Sequence, residues 1–170
     1  MDPLSPLVGF GQAFFLYQSR QFDGAIEQCR ETLELEPDYP LALLTLAEAL
    51  LQQGKLEEAV AVWKQLYLSV GDLESARVLD EAVVREGPVQ ALAALGRHLV
   101  AQREFRFVMP VDIAVLFAGA GEGDEAFHWL ELGIGERDPN ILLLRLDPVF
   151  DPLRPDPRFE ELVRRLELPS

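Results

Sequence analysis

The chain carries an internal period of 34 residues. Displaced by that step, Ala13 falls on Ala47, Leu16 on Leu50, Phe22 on Leu56, Ala25 on Ala59, Ile26 on Val60 and Cys29 on Trp63. A unit of this length is one supersecondary element that buries its apolar face only by stacking on its neighbours. The period therefore predicts a row of similar units rather than one globular core.

Each unit reads as two helices. Apolar residues recur at helical spacing, no alternating strand pattern persists, and no hairpin-turn signal separates β-rich runs. Ala13 with Ala25, and Ala47 with Ala59, let paired antiparallel helices approach closely, while larger residues fill the gap to the next pair. Pro37 ends the first unit, since it cannot continue a helix. Asp38 is positioned to accept from free N–H groups of the next helix, and Pro40 suits its first turn.

A third copy follows within 111–139, where Ala114, Phe117, Ala126 and Leu130 take the same slots. Ala59 and Ala126 lie 67 residues apart, one short of two periods, which leaves room for one degenerate helix pair. Its helices are expected near 72–86 and 88–103, split at Gly87-Pro88, with Asp72 as the N-cap of the first.

This spacing resembles the tetratricopeptide repeat family. With Pro6 and Pro40 as first positions, Ala13 and Ala47 take the small slot of the first helix. Leu16 and Leu50 take the usual tyrosine slot, Ala25 and Ala59 the alanine of the second helix, and Pro37 the closing proline. Gly9 and Leu43 depart from the pattern where Trp is common, and Gly71 replaces the second closing proline. The resemblance implies an all-α, alpha-alpha superhelix: a right-handed solenoid of about four helix pairs with a capping helix. The expected divisions are repeat one at 6–39, repeat two at 40–71, the degenerate pair at 72–106, repeat three at 107–139 and a C-terminal extension at 140–170, all in one domain.

The tail holds four Asp-Pro pairs, at 138–139, 147–148, 151–152 and 156–157. Asp before Pro supplies an N-cap and a first helical residue together. Asp156-Pro157 should open a last helix ending near Glu167, with Phe159, Leu162, Val163 and Leu166 on the face that covers the final repeat. This ending is similar to the C-terminal tetratricopeptide modules of bacterial winged-helix regulators, protein kinases and cyclase-like proteins. That likeness implies a regulatory or sensor segment of a larger bacterial protein as the alternative role. The opening, with Asp2, Pro3 and Pro6 and no basic stretch, reads as a cut from a longer chain and not as a signal peptide.

Composition narrows the chemistry. Acids outnumber bases 29 to 15, a net charge of −14, which argues against a nucleic-acid grip or an anionic membrane surface. The 12 acids and 4 bases of residues 1–75 place most of this charge in the repeats. No apolar run reaches the roughly 18 residues of a membrane span, and a cytoplasmic location is expected. His98 and His128 are too far apart to suggest a zinc site, and Cys29, in an inward repeat slot, reads as a packing thiol. Gly119, Gly121 and Gly123 follow a helix and precede acids, so they read as a turn and not as a phosphate loop. Glu57-Glu58, Asp124-Glu125 and Glu160-Glu161 suit helix starts or a helix surface. Arg154, Arg158, Arg164 and Arg165 interleave with acids and suit local pairing. We therefore expect no enzyme, no metal and no cofactor.

The candidate site is the concave groove lined by the first helix of each pair. Its expected residues are Leu7, Phe10, Phe14, Tyr17 and Gln18 in repeat one, Leu41, Leu44, Glu48, Leu51 and Gln52 in repeat two, and Val111 and Val115 in repeat three. One subtype of the family holds peptide carboxylates with a Lys, Asn and Arg clamp. The matching slots hold Phe10, Gly11, Phe14 and Gln18, which supply no paired cations. The groove thus suits an apolar or amphipathic protein segment. Two readings of Phe10, Phe14 and Tyr17 stand open: a ligand groove, or a packing surface for an upstream repeat or a second copy in a homodimer.

Overall fold

The computed structural model describes residues 5–167. Among these residues there is no β-strand; the elements are α-helices and short 3-10 turns. In chain order they are α1 (Pro6–Gln18), α2 (Phe22–Leu35), α3 (Pro40–Gln52), α4 (Leu56–Ser69), α5 (Leu73–Glu86), α6 (Pro88–Gln102), α7 (Pro110–Gly119), α8 (Gly123–Glu136) and α9 (Pro157–Glu167). Two 3-10 turns, Pro139–Leu143 and Pro148–Leu153, precede α9. The fold is all-α, with helices packed on their sequence neighbours within each unit described below. The chain divides into two compact units, with the division inside α6 between Ala91 and Leu92.

In the first unit α1 pairs with α2 and α3 with α4. α3 packs on both α1 and α2, and α5 packs on α4. Ala13, Ala25, Ala47 and Ala59 are completely buried, so the small side chains do set the approach of each pair. At the Gly9 slot, where the family favours Trp, a Cβ would overlap the Thr32 hydroxyl. Thr32 is itself buried and donates to the Gln28 carbonyl at 2.8 Å. The departure at Gly9 thus follows from the closeness of α1 and α2.

The turn inside each hairpin demands a residue with left-handed backbone. Gly54 supplies it between α3 and α4, at φ 72°, and Gly121 between α7 and α8, at φ 77°. One period before Gly54, Arg20 adopts the same conformation at φ 61°. A side chain there is held against a steric cost of roughly 1–2 kcal/mol, imposed by the same hairpin geometry.

Helix starts are partly as expected. α1, α3 and α7 open on proline, and Asp72 caps α5 by accepting from the Ser75 N–H at 3.0 Å and its hydroxyl at 2.9 Å. Asp38 departs from expectation. The N-cap of α3 is Tyr39, whose side chain makes no capping bond, so Asp38 lies one residue too early to serve.

In the second unit α7 pairs with α8, and the tail folds back on both. Gly96 and Gly133 are pressed close: Cβ atoms there would meet the Phe117 ring at 3.1 Å and Val111 at 3.2 Å. Phe159, Leu162 and Val163 of α9 are buried, as are Phe150 and Leu153 before it. Arg158 lies 4.2 Å over the Phe127 ring and pairs with Asp124 and Asp156, each at 2.8 Å. Arg154 pairs with Asp151 and Arg164 with Glu161. No described helix is long and apolar enough to cross a membrane.

Candidate functional site

α1 presents two apolar faces to its surroundings. On the first, Phe10 and Phe14 stand one turn apart and half-buried, their rings 5.8 Å from centre to centre. The Tyr39 ring, at the start of α3, meets Phe10 edge-on at 6.1 Å. Aromatic pairs in tilted or edge-on contact hold each other in place. Leu44, Leu51 and Gln52 on α3 are also half-buried, and Leu41 is exposed. Tyr17 and Glu48 lie beneath the surface: Tyr17 is fully buried with its ring 6.0 Å from Phe22, and Glu48 is buried along α3.

Gln18 ends this face. Its amide nitrogen and oxygen are both buried and have no hydrogen-bond partner. Buried polar atoms ordinarily find partners, so Gln18 holds an unused donor and acceptor at the end of the helix that carries Phe10 and Phe14. Val111 and Val115 belong to the second unit and are buried in α7. The half-open apolar surface of the first unit is therefore carried by α1, Tyr39 and α3.

The second face of α1 went unnoticed in the sequence. Leu7, 65% exposed, lies on it with Gly11 and Phe15, which is 68% exposed. With Ser5, Val8 and Leu16 they line an open apolar depression of about 750 Å³. Leu7 thus lines this depression, whereas Phe10 and Phe14 do not. The signal was the spacing of Leu7, Gly11 and Phe15 at four-residue steps, which puts them on one side of a helix.

Residues 16–66 match the family model described as tetratricopeptide repeat. This segment is similar to tetratricopeptide repeats. It runs from the end of α1 through most of α4 and includes Gln18, Tyr39 and every α3 residue of the half-open surface. No curated protein and no solved structure matches the chain significantly. Tetratricopeptide repeats generally mediate protein–protein interaction and generally act as scaffolds without catalysis.

The groups with chemical potential sit in structural settings. Cys29 in the repeat segment is fully buried, and burial together with the Glu48 charge pushes its thiol up to about 12. A thiol so far from ionisation is a poor nucleophile. We expect a disulfide reagent at pH 8 to leave Cys29 unmodified in the folded protein and to react promptly once denaturant is added. Rapid labelling of the native chain would contradict its burial.

The carboxylate pairs Glu57-Glu58 and Asp124-Glu125 fall in the first turns of α4 and α8, where the helix dipole favours them. Asp112 stands at the surface at the start of α7, yet the atoms around its carboxyl shield it from water. That shielding, with repulsion from Asp138, raises it to about 6, against the pull of a hydrogen bond from Asn140. Among the described residues no three His, Cys, Asp or Glu side chains gather as metal ligands would.

Proposed function

We propose that the chain is a non-enzymatic interaction scaffold whose first unit binds an apolar or amphipathic segment of another protein on the α1–α3 face. The Phe10–Phe14–Tyr39 cluster carries this reading: the Phe10 ring meets both Phe14 and Tyr39, with Phe10 and Phe14 half-open to solvent. Aromatic anchors of this kind dominate the energetics of interfaces. Leu44 and Leu51 extend the apolar surface along α3, and Leu41 and Gln52 stand at its ends. The strong negative charge of the surroundings favours partner segments flanked by Lys or Arg.

A random-peptide display selection on the full chain supplies the probe. Selected peptides should carry apolar or aromatic residues at helical or alternating spacing. Replacing Phe10 and Phe14 together by alanine should weaken a selected peptide at least about 30-fold, with an unchanged far-UV circular dichroism spectrum. Equal affinity for the double variant would remove the aromatic face from the site.

A further inference from the structure

We propose that the outer face of α1 is a homodimer contact, in which two copies pair α1 against α1, antiparallel, about Gly11. This face is distinct from the Phe10–Phe14 surface, and the proposal does not depend on peptide binding there.

The face has the form that self-pairing needs. Leu7, Gly11 and Phe15 read large, small, large along one side of the helix, and nothing lies within 4 Å of where a Gly11 Cβ would stand. A two-fold interface uses the same patch on both partners. With the axis at Gly11, Leu7 of one copy faces Phe15 of the other, and the glycines allow close approach of the backbones. The depression between Leu7, Val8, Phe15 and Leu16 receives the partner's large side chains.

Charge leaves α1 as the helix on which two copies can meet. Each copy carries −14, so most approaches between copies are repulsive. α1 is the exception, since Pro6–Gln18 contains no charged side chain. Two copies meeting there bring together uncharged helices.

The internal period argues against a preceding hairpin as the occupant. One period on, the face of α3 that corresponds to Leu7, Val8, Gly11, Gln12 and Phe15 is Leu41, Ala42, Thr45, Leu46 and Ala49. Ala42, Thr45, Leu46 and Ala49 are buried in the α3 that packs on α1 and α2. Where α3 has the small Ala49, α1 has Phe15. A hairpin approaching α1 in the same way would run into that ring.

Sedimentation of the full chain from about 1 to about 300 µM tests this. We expect a monomer–dimer equilibrium that added salt strengthens, because screening relieves the repulsion between acidic bodies. Phe15→Glu should weaken the dimer at least about 30-fold with an unchanged circular dichroism spectrum, since Phe15 lies on the surface. Gly11→Cys should form an interchain disulfide under mild oxidation, whereas Gly135→Cys, also at an exposed glycine with open space around it, should not. Buried Cys29 does not compete. A chain that stays monomeric throughout overturns the proposal and gives the face to a different protein. A dimer that ignores Phe15→Glu, or a Gly11→Cys variant that does not cross-link, overturns it equally.

Discussion

Replacing Trp63 by alanine is expected to cost about 3–5 kcal/mol of stability. Trp63 is 2% exposed and among the largest side chains buried in the chain. It sits on α4 in the slot that the much smaller Cys29 occupies one period earlier. Truncation removes its apolar surface from the core and leaves a cavity that the paired helices, held together at Ala47 and Ala59, close only in part. Urea unfolding followed by far-UV circular dichroism should show the loss as an earlier transition. Trp63→Phe should lose less, because a ring still fills most of the space. A loss below about 1 kcal/mol for Trp63→Ala, the level of surface substitutions, would mean that Trp63 does not anchor the repeat core.

Asp138→Ala should be the next most damaging change, at about 2–4 kcal/mol. Its two carboxylate oxygens serve different elements. One accepts from the buried Val111 N–H at the start of α7, at 2.9 Å, and the other from the Asn140 N–H, also at 2.9 Å. Alanine leaves both donors without a partner. Asp138→Asn retains one acceptor oxygen and should lose about half as much. Removing the Asp138 charge should also lower the raised titration of Asp112 toward the ordinary carboxylate range. Part of the rise should remain, since shielding from water is its larger cause. Proton-titration NMR of the Asp112 carboxyl reads this directly; an unchanged midpoint would mean that the two acids do not interact.

Much of the fold was legible because its signals are local or periodic. The 34-residue step and the alanine slots located the hairpins, and the 67-residue gap located α5 and α6 on either side of Gly87. Asp72 and the Asp-Pro pairs at 138, 147 and 156 were readable because a cap and its helix start are adjacent in sequence. Asp38 failed as a cap because one residue of difference in where α3 begins decides which side chain meets the free N–H groups. Arg20 gave no sign of its left-handed backbone; only its alignment with Gly54 one period later reveals the shared turn.

The candidate surface was less legible for a geometric reason. Repeat slots tell which helix a residue is on, but not what covers it. Tyr17 and Glu48 hold first-helix positions, yet the packing of α3 on α1 and α2 leaves both buried. Tyr39 joins Phe10 from outside α1, a contact that no spacing rule announces. The Leu7–Gly11–Phe15 face escaped notice because much of the corresponding face of α3 is interior. A residue pattern alone does not show that α1 has no described helix on that side.

The central claim is that the α1–α3 face receives a protein segment. Hydrogen–deuterium exchange of the full chain, with and without a display-selected peptide, tests it most directly. The account predicts slowed exchange concentrated in α1 and α3, lost when Phe10 and Phe14 are both alanine. Protection confined to residues 92–167, or protection that survives the double substitution, would contradict it.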